Sequence, residues 1–266
     1  MASAAAPYVE PLILTTPLSL QQTFTSFLTV ALHTILYTRE LYPPSTFITT
    51  RAYNFPVHQS RHPSVCEWIN SAVAAVGVLL QKGTVKRIVI PVFSEEGVVM
   101  ERFMFDVERF PVVGEKEKLV EFEARDANPN NPNSKANPNP NTEGAPQPQP
   151  QLKAGVKRAD IEEQLRGTIR RLDYACSRLS PLPENCTYSI AVELRDEPDV
   201  EPPIGHPQPW IPSEPSLQTG EKGESETIGK DLGGVRTVPV RLVEAGEFVL
   251  EAWVEEGRGK LRGVEG

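Results

Sequence analysis

The sequence predicts an α+β domain, with three main helices packed on an antiparallel sheet. Three observations carry that prediction. Apolar residues recur at Phe24, Phe27, Leu28, Ala31, Ile35 and Tyr42 with the spacing of a helical face. Between Val98 and Val107 the pattern alternates instead, with Val99, Phe103, Phe105 and Val107 on one side, as a strand requires. Along the chain the order is helix, helix, hairpin, helix, strand, a long irregular crossover and two terminal strands. That order lays helices on one face of an antiparallel sheet.

Residues 1–17 are rich in Ala and Pro and predict a loose N-terminus. The first helix begins near Pro17 to Leu20. A second stripe through Val30, Tyr37 and Leu41 gives it apolar surface on more than one side, which marks a helix buried inside a domain. Pro43 and Pro44 are expected to stop it, since neither donates to the helical ladder. Ser45 to Gln59 reads as short extended pieces with a turn. Pro63 suits the first position of a second helix. Val65, Trp68, Ile69, Ala72, Val73, Val76, Leu79 and Leu80 mark its apolar face, and Lys82-Gly83 its end. On helical spacing alone, Trp68 belongs to the core.

Val85 to Phe93 and Val98 to Val107 form a hairpin through Ser94 to Gly97. Pro91 argues against a central position for the first of these strands. From Asp126 to Pro150, Asn and Pro fill 14 of 25 positions. Such a segment buries too little apolar surface to offset its ordering entropy, so disorder is expected across an insertion of about 112–157. A third helix follows at about Ala159 to Leu179, with Ile161, Leu165, Ile169, Leu172, Cys176 and Leu179 as its seam. Cys186 to Leu194 alternates as a strand. Residues 196–234 are acidic and rich in Pro and Gly, with one aromatic island around Trp210. Val235 to Val243 and Glu247 to Glu255 are two terminal strands, and 256–266 a loose C-terminus.

Composition narrows the function. The 266 residues carry a net charge of −8 and 26 prolines, most of them in two segments. Without those segments roughly 200 residues remain, enough for one domain. An acidic chain with no basic run is a poor direct ligand for a phosphate backbone, so any nucleic-acid role falls to a partner. Three unclustered cysteines, Cys66, Cys176 and Cys186, suit a reducing compartment and offer no zinc site. The start lacks a basic n-region and no window reaches the length of a membrane span, so a soluble intracellular protein without a membrane partner is expected. Asn185-Cys186-Thr187 is a glycosylation sequon without meaning in that setting.

Catalytic chemistry finds little footing. Gly223 to Asp231 imitates a phosphate loop but has the wrong glycine spacing, and Asp231 stands where Ser or Thr is needed. His33 reads as a core histidine with a satisfied hydrogen bond, and His62 as a helix-entry residue. No catalytic residue, metal ligand or cofactor site is expected.

The segments ILYTRELYPPSTF (Ile35 to Phe47) and YNFPVHQSRHPSVCEWI (Tyr53 to Ile69) resemble the HORMA-domain family. The likeness is greatest to the non-catalytic HORMA subunits of translesion DNA polymerase zeta. Spindle-checkpoint members share the LYP-x-x-x-F part. The resemblance implies a HORMA-type fold over 18–255, interrupted by the insertion, with 196–255 as a mobile safety belt and its terminal strands. It implies a non-enzymatic adaptor that traps a proline-containing peptide of the polymerase-zeta catalytic subunit against Trp68 and Tyr188, with Trp210 closing over it. A second surface at Thr237, Glu251 and Trp253 would bind the C-terminal domain of the Rev-type deoxycytidyl transferase scaffold. Thr237 and Glu251 differ in type from the vertebrate residues there. Arg166 matches a HORMA–HORMA dimerisation position, although by itself it reads as a surface arginine. The implied location is the nucleus, or nucleus and cytoplasm both. The alternative within the family is a spindle-checkpoint or other HORMA adaptor that binds a different peptide.

Overall fold

The structure is a computed structural model that describes residues 13–14, 16–112, 156–195, 234–245, 248–257 and 260. Its order is β1 (Ile13–Leu14), α1 (Pro17–Thr38), β2 (Phe47–Ala52), β3 (Phe55–Ser60), α2 (Pro63–Gln81), β4 (Val85–Phe93), β5 (Val99–Asp106), β6 (Val156–Lys157), α3 (Arg158–Arg178), β7 (Thr187–Tyr188), β8 (Ala191–Leu194), β9 (Gly234–Ala245) and β10 (Phe248–Gly257). Residues 113–155 of the expected insertion and the belt around Trp210 fall outside the described residues, whereas Val156–Lys157, at the end of that insertion, form β6 and pair with β1 at Ile13–Leu14, inside the stretch expected to be loose.

α1 is the centre of the domain. Thr16 caps it reciprocally: its Oγ1 accepts from the Ser19 N–H at 3.2 Å, while Ser19 Oγ accepts from the Thr16 N–H. That satisfies orphan donors of the first turn, and Pro17 costs nothing at N1. Phe24, Phe27, Leu28, Ala31, Leu32, Ile35 and Leu36 are fully buried. The helix lies against α2 and α3 and sends Phe27 edge-on to Phe105 of β5 at 6.0 Å. Phe24 meets Phe110 edge-on at 5.3 Å, and Phe110 in turn packs on Phe248 of β10.

The helix does not run to the two prolines. It ends at Thr38 because Glu40 takes a left-handed φ of 53°, and the Leu41 N–H reaches back to the Leu36 carbonyl at 3.1 Å. Tyr42 therefore lies beyond the helix rather than on its stripe. The Tyr53-Asn54 turn between β2 and β3 has both residues at positive φ, as a tight two-residue hairpin demands. α2 starts at Pro63 and ends before Gly83, whose φ is 72°. Contrary to expectation, it is long and apolar enough to cross a membrane by length and composition. It buries Ile69, Val73, Val76, Leu79 and Leu80 in the core, as a core helix does.

The main sheet is antiparallel, in the order β7-β4-β5-β10-β9, with β8 also on β4. Four expectations need correcting. β4 is an interior strand, paired with β5 on one side and with β7 and β8 on the other. Pro91 fits because it has no N–H to donate, and the outer ladder breaks beside it: β8 pairs as far as Val89, β7 resumes at Val92. That same break splits the single strand expected over 186–194 into two. β5 is buried on both faces rather than alternating, since Met100, Arg102 and Met104 are covered on the outer side. Its neighbours there include Trp253 and Glu255, which register opposite Met104 and Arg102. At the other end, β10 extends to Gly257, two residues into the stretch expected to be loose.

Candidate functional site: an aromatic groove beside an open strand edge

Three aromatic side chains arrive from three elements. Tyr42 follows the end of α1, Trp68 sits in the second turn of α2, and Tyr188 is on β7. Tyr188 is the hub. Its ring meets Trp68 edge-on at 5.1 Å and Tyr42 edge-on at 6.2 Å, with interplanar angles of 85° and 86°. Edge-to-face pairs of this kind hold their geometry better than apolar contact alone. Burial, and then a hydrogen bond with Tyr42, push the Tyr188 hydroxyl well above the ordinary phenol range, so it stays neutral.

The three rings line a groove of about 720 Å³ together with Leu41, Val65 and a polar rim of Thr46, Ser60, His62, Ser64, Thr187 and Ser189. Local structure fixes the rim. Cys66 Sγ donates to the Ser60 carbonyl at 3.1 Å, the Ser60 N–H donates to His33 Nδ1, and the His62 N–H donates to Ser60 Oγ. His33 is 5% exposed, and burial lowers its pKa from the ordinary value, keeping it the neutral acceptor that this bond needs. Trp68 is 40% exposed. Helical spacing had placed it in the core, but the second turn of α2 overhangs the groove rather than the helix layer.

β7 pairs only with β4 among the described residues, so its far edge faces the groove side unpaired. An unpaired edge beside an aromatic box can take an extended segment, by backbone hydrogen bonds and by ring contacts to alternate side chains. The resemblance named Trp68 and Tyr188 for peptide contact, and the structure brings both to this groove; Tyr42, which joins them, was not named. Its only signal was the Pro43-Pro44 pair, read as a helix stop.

The second set of residues lies elsewhere, on the outer face of the sheet. Trp253 and Glu251 share a face of β10, and Thr237 of β9 registers opposite Glu255. Trp253 Nε1 donates to Glu255 Oε1 at 2.9 Å, and the Arg87 guanidinium lies 5.9 Å from its ring. Arg87 is itself held by Asp106 at 2.8 Å and Glu193 at 3.1 Å, and Arg102 pairs with Glu255. Glu251 sits between Asp106 and Leu242, and Leu242 is half-exposed. A bulge near Val240 reverses the strand's phase there. Arg166 is a partly exposed residue of α3, ion-paired with Glu163 one turn earlier. Among the described residues, no group of three or more His, Cys, Asp or Glu could hold a metal.

The family model for the HORMA domain matches residues 21–235. The chain belongs to the HORMA-domain family. This HORMA protein is 29% identical over 233 residues to the DNA polymerase zeta processivity subunit of Schizosaccharomyces pombe, covering 88% of this chain and 91% of that one. It is 26% identical over 193 residues to the DNA polymerase zeta processivity subunit of Arabidopsis thaliana, covering 73% and 71%. In fold it is similar to a chain of the mitotic checkpoint complex crystal structure, with a TM-score of 0.57 at 15% identity over 89% of this chain and 98% of that one. It is likewise similar to Caenorhabditis elegans HTP-2 bound to the HIM-3 closure motif, at a TM-score of 0.56 and 14% identity over 92% of each.

Proposed function

We propose that this HORMA protein is a non-enzymatic adaptor of translesion DNA polymerase zeta. In this reading the groove between α2 and β7 takes a proline-containing peptide of the polymerase catalytic subunit. The observation that carries the reading is the Tyr42–Tyr188–Trp68 cluster beside an edge of β7 that is unpaired among the described residues. Such a cluster offers an extended peptide ring faces for proline or aliphatic side chains and a backbone ladder at once. Trp210, within the belt segment, closes over the bound peptide. The outer sheet face with Thr237, Glu251 and Trp253 binds the C-terminal domain of the Rev-type scaffold, so one chain bridges two polymerases. Arg166 serves a HORMA–HORMA dimer, and the protein works in the nucleus. Support for the polymerase assignment comes from the names of the fungal and plant relatives, and for peptide capture from the structural neighbour with its closure motif.

The test is affinity capture of the tagged full chain from its own cells, with bound proteins identified by mass spectrometry. Recovery of the polymerase-zeta catalytic subunit, lost on Trp68→Ala, supports the assignment. Recovery of a checkpoint protein in its place, lost on the same substitution, would keep the groove and overturn the polymerase assignment.

A further inference from the structure

Trp253 is held from two sides on the outer face of the sheet. Its Nε1–H donates to Glu255 Oε1 at 2.9 Å, while the other oxygen of that carboxylate accepts from Arg102. Against the ring, 5.9 Å from its centroid, lies the Arg87 guanidinium. The strands that carry this ring and this cation are not neighbours. Arg87 is on β4 and Trp253 on β10, with β5 between them. Arg87 registers opposite Asp106 of β5, and Trp253 opposite Met104, two residues along the same face. The arginine therefore reaches across β5 to the indole.

A side chain extended so far has much rotamer freedom to lose. Two carboxylates restrict this one. Asp106 Oδ2 accepts from Nε at 2.8 Å, and Glu193 of β8, opposite Arg87 on the other flank of β4, accepts from Nη1 with both oxygens, at 3.1 and 3.2 Å. Bonds at two separate nitrogens set the plane of the guanidinium as well as its place, which a lysine ammonium could not do. The side chains of Arg87, Asp106 and Glu193 are at most 25% exposed, so the contact with the ring is partly shielded from water, where attraction between cation and ring is stronger.

We infer that Arg87 is a positioning residue for the outer face: together with Glu255 it fixes the Trp253 indole before a partner arrives. The pin draws on β8 through Glu193, on β4 through Arg87 and on β5 through Asp106. A side chain ordered in advance lowers the cost of association. Because Glu255 already takes the indole N–H, the ring offers a partner apolar contact rather than a donor. The docking role rests on the scaffold reading above; the pin does not.

The experiment is NMR of the full chain carrying isotope-labelled tryptophan, beside titration with the C-terminal domain of the Rev-type transferase from the same organism. The Trp253 indole signal is identified by its loss in Trp253→Phe. Arg87→Met is expected to speed exchange of that N–H with water by at least about 5-fold and to weaken scaffold-domain binding by a similar factor, the loss of one partly shielded contact between cation and ring. Arg87→Lys should free the indole alike, since it keeps a charge but not the plane. In a chain that already carries Trp253→Leu, Arg87→Met should cost less than about 2-fold more in affinity, because Arg87 acts through the ring. A full further loss in that chain would mean direct contact or a general loosening of the sheet, and overturns the positioning role. Parent-like indole exchange in Arg87→Met or in Arg87→Lys overturns the pin. If Arg87→Met does not fold, Arg87→Lys carries the test and must both fold and free the indole. A freed indole with parent-like affinity overturns the docking role. A parent chain that binds no scaffold domain, with the indole freed as expected in the variants, would remove the scaffold reading and leave the pin standing.

Discussion

Truncating Trp68 separates a binding surface from a piece of core. A fully buried aromatic costs about 3–5 kcal/mol when cut to alanine, partly for the cavity left behind. Trp68 is 40% exposed and borders an open groove, so water fills the space and the cavity cost largely vanishes. What remains is the covered part of the ring and one edge-to-face contact with Tyr188, the latter worth about 0.5–1.5 kcal/mol. The free protein should lose about 1–2 kcal/mol in all, well short of a core aromatic. Peptide affinity should fall by a hot-spot amount of about 2–4 kcal/mol, or roughly 30- to 900-fold in Kd. Calorimetric titration beside urea unfolding reads both numbers on one preparation. Trp210→Ala is the companion variant, expected to weaken binding alike with scarcely any change in the free protein. A Trp68→Ala chain that loses more than about 3 kcal/mol of stability yet binds like the parent would refute the reasoning, returning Trp68 to the core.

Four further outcomes are expected. Arg39→Met should cost about 3–5 kcal/mol in urea unfolding, because it leaves Glu101 buried with its guanidinium gone; a loss under about 1 kcal/mol would mean the site relaxes freely. His33 has its pKa lowered by burial, so the unfolded chain binds the proton more readily; stability is fully present above the ordinary value of 6.5 and is lost as pH falls below it. His33→Gln, which keeps an acceptor, should flatten that slope between pH 7 and 5, and an unchanged slope would assign it to other groups. Trp253→Ala should weaken scaffold recruitment and leave peptide binding intact, whereas equal loss of both in a titration would mean overlapping sites or an unfolded strand. Deleting Asn128 to Pro150 should leave folding and binding nearly unchanged, and a Tm lowered by more than about 8 °C would contradict the compositional reading.

Much of the architecture was legible because periodicity reports burial. α1, α2 and α3 begin within a residue of where prolines and apolar stripes place them. The hairpin of β4 and β5 and the terminal pair of strands were equally plain. Where the reading failed, a non-local pairing had overridden a local rule. Pro91 looks like an edge residue until one sees that the partner ladder breaks beside it. Tyr42 belongs to a helical stripe only if the helix continues, and Glu40 in the left-handed region ends it. Of the site, Trp68 and Tyr188 could be named in advance from resemblance, but not their edge-to-face contact, which depends on two elements more than a hundred residues apart in the sequence. Arg39 and Glu101 sit in ordinary-looking charged positions, and only the fold brings Lys260 to them.

The central claim is that an extended peptide lies between α2 and the outer edge of β7. Its most direct measurement is amide exchange of the full chain with and without a proline-containing peptide from the polymerase-zeta catalytic subunit of the same organism. The account predicts slowed exchange at Thr187 to Leu194, together with a shielded Trp68 in fluorescence quenching. Binding with protection confined to other strands, or with Trp68 as accessible as before, would contradict it.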